Sequence, residues 1–507
     1  MKKQRRESSV SSSYKTKLSK SSYWNASFQV PAHPLGIKPL GNLWTTSSYS
    51  VDSIGREKSL GFFSILIDEW LLDLLYYLDG CSAAMLSCCS KYLYAFCSYN
   101  ELWRERTLRD FTHYNFESSW KNTYKKAVVR EKEQYVDDHS CCPLIRCDKV
   151  YSDVLYRTWC TVYFHFPSYA SWWKRDNIPR LHTKDLDVDT FIQQFEKQNM
   201  PLVIQGVVTQ WPAYHKWNRS YFIQHCNDFA WTVGPTQMTM QEYIHYMETN
   251  VDINPLYLFE KRFQQLPLAL DYQVPKYFKN RDWFSLVEKY YNKRPDHSWL
   301  IYGPPRSGSR FHIDPNQTCA WNAVIKGSKK WVLFPPPSQA PSPPGVFPNE
   351  DYSEVTSPAS LIEWFTNFYE EAKKRKDIIE CVVKSGELLF IPRGWWHIVL
   401  NLEESIAITE NYVSESNISH VLEFLQSKPH QISGWDDDQD LQSLLIDVIQ
   451  RERLNLPTQD KRKLSTGESM LQTTTNLQTP NGMNKSRNTT QFRFNFASSP
   501  SKKKRHI

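Results

Sequence analysis

Between residues 201 and 402 the chain carries six short runs that read as strands: "PLVIQGVV" (201–208), "PLYLFE" (255–260), "WLIYG" (299–303), "KKWVLFPP" (329–336), "CVVKSGELLFIP" (381–392) and "IVLNL" (398–402). Each is rich in β-branched and aromatic residues and is bounded by Gly or Pro. Several such strands within one span predict a jelly-roll or barrel. "PPPSQAPSPPG" (335–345) reads as a polyproline-like surface insertion. "SLIEWFTNFYEEAKKRKD" reads as an amphipathic helix, and "HVLEFLQ" with "DLQSLLIDVIQRE" as further helices near the end. The expected class is α+β.

A chain of 507 residues exceeds one compact core, so two or three domains plus tails are expected. Its 14% aromatic and 40% hydrophobic content excludes a wholly disordered chain. Eleven cysteines without a secretory signal argue for reduced thiols in a cytosolic or nuclear compartment, and no Cys-x-x-Cys pair supports a structural zinc. The most apolar run, "FFSILIDEWLLDLLYYL", is interrupted by Asp68, Glu69 and Asp73, so no membrane partner is expected. The net charge of +7 sits at the ends, with seven Lys/Arg against one Glu in residues 1–20 and "KKKR" at 502–505. The body between is slightly acidic, so the folded part need not bind nucleic acid. "KKQRR" and "SPSKKKR" read as nuclear import signals or as electrostatic anchors to nucleic acid, which makes the nucleus the expected location, with the cytoplasm beside it.

In "GPPRSGSRFHIDP" (303–315), His312 and Asp314 are two residues apart, and on a strand such residues point to one face. Of fourteen histidines, His312 alone is followed two positions later by an acidic residue. "GELLFIPRGWWHIVLNL" offers His397 as a third ligand, on a strand preceded by the turn "RGWW". Two histidines and one carboxylate with open positions are the facial set of non-haem Fe(II) oxygenases.

With these segments in view, "GPPRSGSRFHIDPNQTCAWNAVIKGSKKWVLFPP" and "GELLFIPRGWWHIVLNLEESIAITENY" resemble the jumonji-C family of Fe(II)/2-oxoglutarate oxygenases, and within it the phosphatidylserine-receptor-like branch of protein hydroxylases and proposed arginine demethylases. The likeness runs from about Asn177 to Tyr412. It implies a double-stranded β-helix, with His312, Asp314 and His397 as catalytic iron ligands. It implies Lys329, seventeen positions after His312, as the partner of the distal carboxylate of 2-oxoglutarate. Thr409 and Ser309 match hydroxyl partners of that cosubstrate, and Asn322, Tyr257 and Asn411 match the polar wall around it. The implied reaction consumes O2 and 2-oxoglutarate and hydroxylates a protein side chain, lysine or methylated arginine, on histones or RNA-processing proteins; hydroxylation of an N-methyl carbon ends in demethylation.

Residues 62–111 resemble an F-box, the helical adaptor that docks onto Skp1 in cullin ubiquitin ligases, with Leu66, Leu71, Leu74, Leu78, Ser90, Tyr94, Leu102 and Trp103 at the family's apolar and capping positions. Ile67 stands where the family usually has proline. The layout expected is therefore a disordered basic Ser-rich tail (1–58), the F-box (59–111), a helical linker (112–160), the oxygenase domain (161–415, with its motif core at 270–415), C-terminal helices (416–455) and a disordered tail with a basic end (456–507). Few contacts are expected to cross between F-box and oxygenase. Two rival classes stay open: a catalytically silent F-box receptor that holds targets, and a hydroxylase of RNA.

Overall fold

The computed structural model describes residues 30–40, 52–131 and 144–455. Eight strands form its centre: Ser298–Gly303 (β1), Gly308–His312 (β2), Cys319–Lys326 (β3), Ser328–Phe334 (β4), Ile379–Lys384 (β5), Glu387–Ile391 (β6), Trp396–Asn401 (β7) and Ser405–Tyr412 (β8). They pair antiparallel in two sheets, β5-β4-β7-β2 and β6-β3-β8-β1. The second sheet extends through Leu202–Gln205 and Arg180–His182 on one side, and through Leu258–Glu260, Trp231–Val233 and Thr236–Met238 on the other. Every connection among the eight crosses from one sheet to the other except β4 to β5, which keeps its sheet and makes the long excursion through residues 335–378. This is a jelly roll, as expected. At the β3–β4 crossing Gly327 has φ +80, and a Cβ there would sit 2.3 Å from the Glu404 carbonyl oxygen, so only glycine makes the crossing.

Alternation along the strands divides the core. Val324, Leu333, Val383 and Leu389 face inward between the sheets. Trp321, Ile325, Phe390 and Ile408 face out, under the helices and aromatics of residues 186–278. On the other sheet Val332, Phe334, Ile398 and Leu400 face out beneath Trp364, Phe365 and Tyr369 of the excursion. The Pro-rich stretch does run over the surface, pinned where Arg375 donates to the Pro341 and Ser342 carbonyls and Trp364 to that of Pro344. The helix expected after it divides into Leu361–Asn367 and Tyr369–Ala372. Helices Ile418–Ser427 and Leu441–Asn455 pack with Trp283–Tyr291 around Val287, Leu445 and Val448. No helix among the described residues is long and apolar enough to cross a membrane.

The N-terminal part differs from expectation in two respects. Residues 30–40 and 52–58, expected within a disordered tail, are partly built into the fold. Leu35 and Ile37 are buried with Cys147 and Val150, and the helix Asp52–Leu60 carries Arg56 onto Asp68 at 2.8 Å. The remainder of that tail, and the whole of 456–507, lie outside the described residues. The apolar residues Leu35 and Ile37 are what a Ser- and Lys-rich composition hides.

The module itself comprises Asp68–Tyr76, Gly80–Ser87, Lys91–Cys97 and Asn100–Asp110. Asp79 and Ser90 cap the second and third helices by accepting from the Ser82 and Leu93 amides. It is not separable. Phe116 and Trp120, in the expected linker, pack edge-on and tilted against Tyr246 of the oxygenase part at 5.0 and 6.3 Å. Asp252, wholly buried, accepts hydrogen bonds from the Trp120 indole (2.9 Å), the Asn100 amide (2.9 Å) and the Tyr246 hydroxyl (2.6 Å). Arg104 lies 3.7 Å from the same carboxylate and donates to the Asn254 carbonyl. A buried carboxylate surrounded by donors from both halves makes one core of them.

Two outcomes follow for stability. Asp252→Ala strands Arg104 and three other donors, softened by the second partner Glu101 at 3.2 Å, and should cost about 3 kcal/mol in a denaturant unfolding series. A fragment beginning at residue 150 exposes the aromatic face that Trp120 covers and should be insoluble where the full chain is soluble.

Candidate metal and cosubstrate site

The register of the smaller sheet makes the site. His312, the last residue of β2, pairs directly with His397, the second residue of β7, and their ring centroids are 4.1 Å apart. Asp314 follows past the end of β2, and its Oδ1 lies 4.0 Å from His397 Nε2. One ligand atom from each of the three falls within 4.8 Å of the others. His312 Nδ1 is 2.8 Å from the Arg310 carbonyl oxygen and His397 Nδ1 is 3.0 Å from that of Trp395. Each carbonyl fixes the proton on Nδ1 and leaves Nε2 as a lone-pair donor.

Burial lowers both imidazole pKa values to about 4, helped at His312 by the neighbouring His397, so both rings are neutral at physiological pH. Burial pushes the Asp314 carboxyl upward, and its Oδ2 is buried without a hydrogen-bond partner. Two neutral imidazoles and an under-satisfied carboxylate are a donor set for a divalent ion such as Fe(II).

β2 carries a bulge here. Val399 pairs with Ser309 and His397 with His312, so two steps along β7 match three along β2. Without it, Ser309 and His312 would face opposite sides. With it, both line one cavity, together with Tyr257, Asn322, Lys329, Thr409 and Asn411. All the site residues expected from the sequence therefore come together. Gly308, with φ +144, begins β2 so close to β7 that a Cβ would lie 2.1 Å from the Val399 carbonyl oxygen.

The adjacent lysines of β4 show which one serves the cavity. Lys330 points outward and is neutralised by Glu380 at 2.6 Å. Lys329 points inward, is fully buried, and donates to the Tyr257 hydroxyl (2.8 Å) and the Asn401 side-chain oxygen (2.9 Å). It forms no ion pair among the described residues. Burial lowers its pKa to about 7. A buried ammonium awaiting a carboxylate suits a dicarboxylate cosubstrate.

The Asn322 side-chain oxygen is a second buried group without a partner in the same cavity. Thr409 donates to the Trp321 carbonyl (2.9 Å) and Asn411 to the Thr318 hydroxyl (2.8 Å), which holds both polar walls in place. Asn401 was missed in the sequence, although its signal is there: it stands four residues after His397 on the same face of β7.

A family model for the cupin-like domain matches residues 188–418. Among curated proteins, the arginine-specific demethylase JMJ22 of Arabidopsis thaliana is 42% identical over 419 residues, which is 81% of this chain and 80% of that protein. The chain belongs to the jumonji-C family of cupin-like oxygenases. The bifunctional arginine demethylase and lysyl-hydroxylase psr-1 of Caenorhabditis elegans is 34% identical over 52% of the chain and 68% of its own length. The 2-oxoglutarate and iron-dependent oxygenase JMJD4 of Homo sapiens is 28% identical over 49% and 65% respectively. The chain is an iron- and 2-oxoglutarate-dependent oxygenase.

A bound iron, with 2-oxoglutarate and O2 as cosubstrates, would supply the oxidation: one oxygen atom goes to the C–H bond and the other to succinate as carbon dioxide is lost. The residues of the oxygenase supply position and shielding. His312, Asp314 and His397 would hold the metal. Lys329 would face one carboxylate of the dicarboxylate, with Tyr257 and Asn401 holding its amino group in place. Phe259, Trp299, Ile301, Ile391 and Val399 wall the cavity with apolar surface, which keeps the dielectric low and strengthens the charge pair.

Removing a ligand or the anchor should therefore separate two functions. His312→Ala or Asp314→Ala should abolish iron retention and 2-oxoglutarate turnover together, read by metal analysis and by succinate formation. Lys329→Ala should keep the iron but weaken 2-oxoglutarate binding about 30- to 150-fold, the loss of one charge-assisted contact. The lysine also sets a pH dependence. Below about 7 it is already charged and binding needs no proton. Above that value it is neutral until the dicarboxylate arrives, so binding takes up a proton and affinity falls about tenfold per pH unit. Calorimetry in buffers of different ionisation enthalpy should show that uptake in the wild type and not in Lys329→Ala.

Proposed function

We propose that this oxygenase hydroxylates a protein side chain, lysine or N-methylated arginine, with demethylation as the outcome on a methyl carbon. The observation that carries the reading is the buried Lys329, without an ion pair among the described residues, lining one cavity with the His312–Asp314–His397 cluster. The activities that JMJ22 and psr-1 are named for, arginine demethylation and lysyl hydroxylation, support this substrate class. Histones and RNA-processing proteins are the proposed targets, in the nucleus, with the terminal basic clusters at 2–6 and 502–505 as the import signals or nucleic-acid anchors. Those clusters lie outside the described residues. The test is to trap targets on the Asp314→Ala chain and identify them by mass spectrometry. Targets that gain one oxygen or lose a methyl group on incubation with the wild-type chain support the reading, and modification confined to RNA replaces it.

A second element of the proposal is an F-box role for residues 59–111, linking the oxygenase to a Skp1–cullin ligase. Leu71, Leu72 and Leu75 of the helix Asp68–Tyr76 are buried, whereas Ile67, Trp70, Leu74 and Tyr77 are exposed. Phe62 and Ile65, in the turn Gly61–Ile65 just before that helix, are 95% and 83% exposed. An apolar patch of this extent on a charged chain is the mark of a docking surface. The substitutions Ile67→Asp with Trp70→Ala touch only exposed side chains. They should abolish capture of a Skp1-type adaptor by the purified chain and leave 2-oxoglutarate turnover intact; equal capture by the double variant would remove the adaptor role.

A further inference from the structure

The three metal ligands are not held alike. His312 and His397 sit opposite one another in the β2–β7 ladder, each fixed by backbone hydrogen bonds of its own strand. Asp314 lies beyond the end of β2, where no neighbouring strand reaches it. The chain then turns through Pro315–Gln317, with both Asn316 (φ 55, ψ 20) and Gln317 (φ 56) in the left-handed region. Two consecutive non-glycine residues there are unfavourable unless their surroundings enforce the conformation.

The surroundings that enforce it come from more than a hundred residues downstream. The buried side chain of Asn316 makes a reciprocal pair with the main chain of Ser433: its Nδ2 donates to the Ser433 carbonyl and its Oδ1 accepts from the Ser433 amide, both at 2.9 Å. Beside it, Asn417 Nδ2 donates to the Gln317 carbonyl at 2.9 Å, and the Asn417 Oδ1 accepts from the Ser414 amide. On the other side, Thr318 donates through its hydroxyl to the Pro315 carbonyl and accepts from Asn411. The amide of Asn316 thus replaces the missing strand neighbour.

We propose that Asn316 is a positioning residue for the metal, and that residues 414–434 act through it as a clasp that sets the Asp314 carboxylate against His312 and His397. Asn316 does not itself reach the metal cluster. Its effect is to hold one ligand of a set in which each must arrive within a few tenths of an ångström.

The test uses the full-length chain, titrated anaerobically with Co(II) and followed by the ligand-field absorption of the bound ion. Asn316→Gly accepts the left-handed backbone and so keeps the turn while deleting both bonds to Ser433. It should retain the wild-type circular dichroism and weaken Co(II) binding about 10- to 100-fold. Asn316→Ala, strained as well as unclasped, should weaken it at least as much. Gln317→Gly relieves a strained position without touching the clasp and should leave the Co(II) affinity unchanged. At saturating metal, the KM for 2-oxoglutarate should stay at its wild-type value in Asn316→Gly, because Lys329 is anchored on a different strand. A folded Asn316→Gly chain with wild-type Co(II) affinity overturns the proposal. So does an equal loss of melting temperature with and without Co(II), the signature of a purely structural role. His312→Ala serves as the reference: if it binds Co(II) as the wild type does, the metal assignment itself has failed and this inference falls with it.

Discussion

A buried ammonium without an anion is unstable in a folded chain, and Lys329 is such a group. Moving it out of water is tolerable only because Tyr257 and Asn401 accept its hydrogen bonds and its pKa falls to about 7. Much of the smaller sheet is arranged around that constraint. Asn401 faces Lys329 across the β4–β7 ladder; its side-chain amide donates to the Ser307 hydroxyl and its main-chain amide to the Ser307 carbonyl. The outward neighbour Lys330 has its own carboxylate in Glu380, itself held by the Tyr369 hydroxyl. One strand thus carries two buried cations, one neutralised by the protein and one left for a ligand. That charge would favour a dicarboxylate in the cavity, which the imidazole–carboxylate cluster also lines.

Much of this was legible before any coordinates. The β-branched and aromatic runs at 202–205, 258–260, 298–303 and in β4 to β7 are strands, with Gly386 dividing the longest run into β5 and β6. The strands not read from local pattern are instructive. β3, "CAWNAVIK", and β8, "SIAITENY", are buried on both faces and carry Asn, Thr and Glu where a half-exposed strand would alternate simply. Asn322, Thr409 and Asn411 are cavity wall, and Glu410 on the opposite face accepts from Tyr272 and Ser298, so these polar roles erased the signal that would have marked the fold. The resemblance to known oxygenases recovered those residues where periodicity could not. The β2 bulge was beyond reach, because it exists only as a register between two strands and alters which side Ser309 faces without altering the composition.

The largest departure from the sequence reading is the union of the helical module with the oxygenase. Charged residues between them, "KNTYKKAVVREKE", suggested a spacer. Lys125, Lys126 and Arg130 of the helix Trp120–Glu131 are exposed, but its first residue is a buried tryptophan whose indole reaches Asp252. Local composition reports the exposed side of such a helix and says little of the single large residue that anchors it. Asp252 in turn lends its main-chain carbonyl to Arg306, whose own amide donates to Asn401. The polar network that supports the Lys329 anchor is thus continuous with the one that fastens the module.

That fastening has a geometric meaning. A module joined to a catalytic domain by a loose tether samples many separations, and a molecule held on one is presented to the other at a concentration set by tether length. Here Asp252 and the aromatic contacts of Trp120 replace the tether with a shared core, so the apolar face around Ile65 and Trp70 keeps one bearing toward the catalytic cavity. Any protein gripped on that face would be carried at a fixed reach, a ruler rather than a leash, and only a target of matching dimensions could bridge the span between the two.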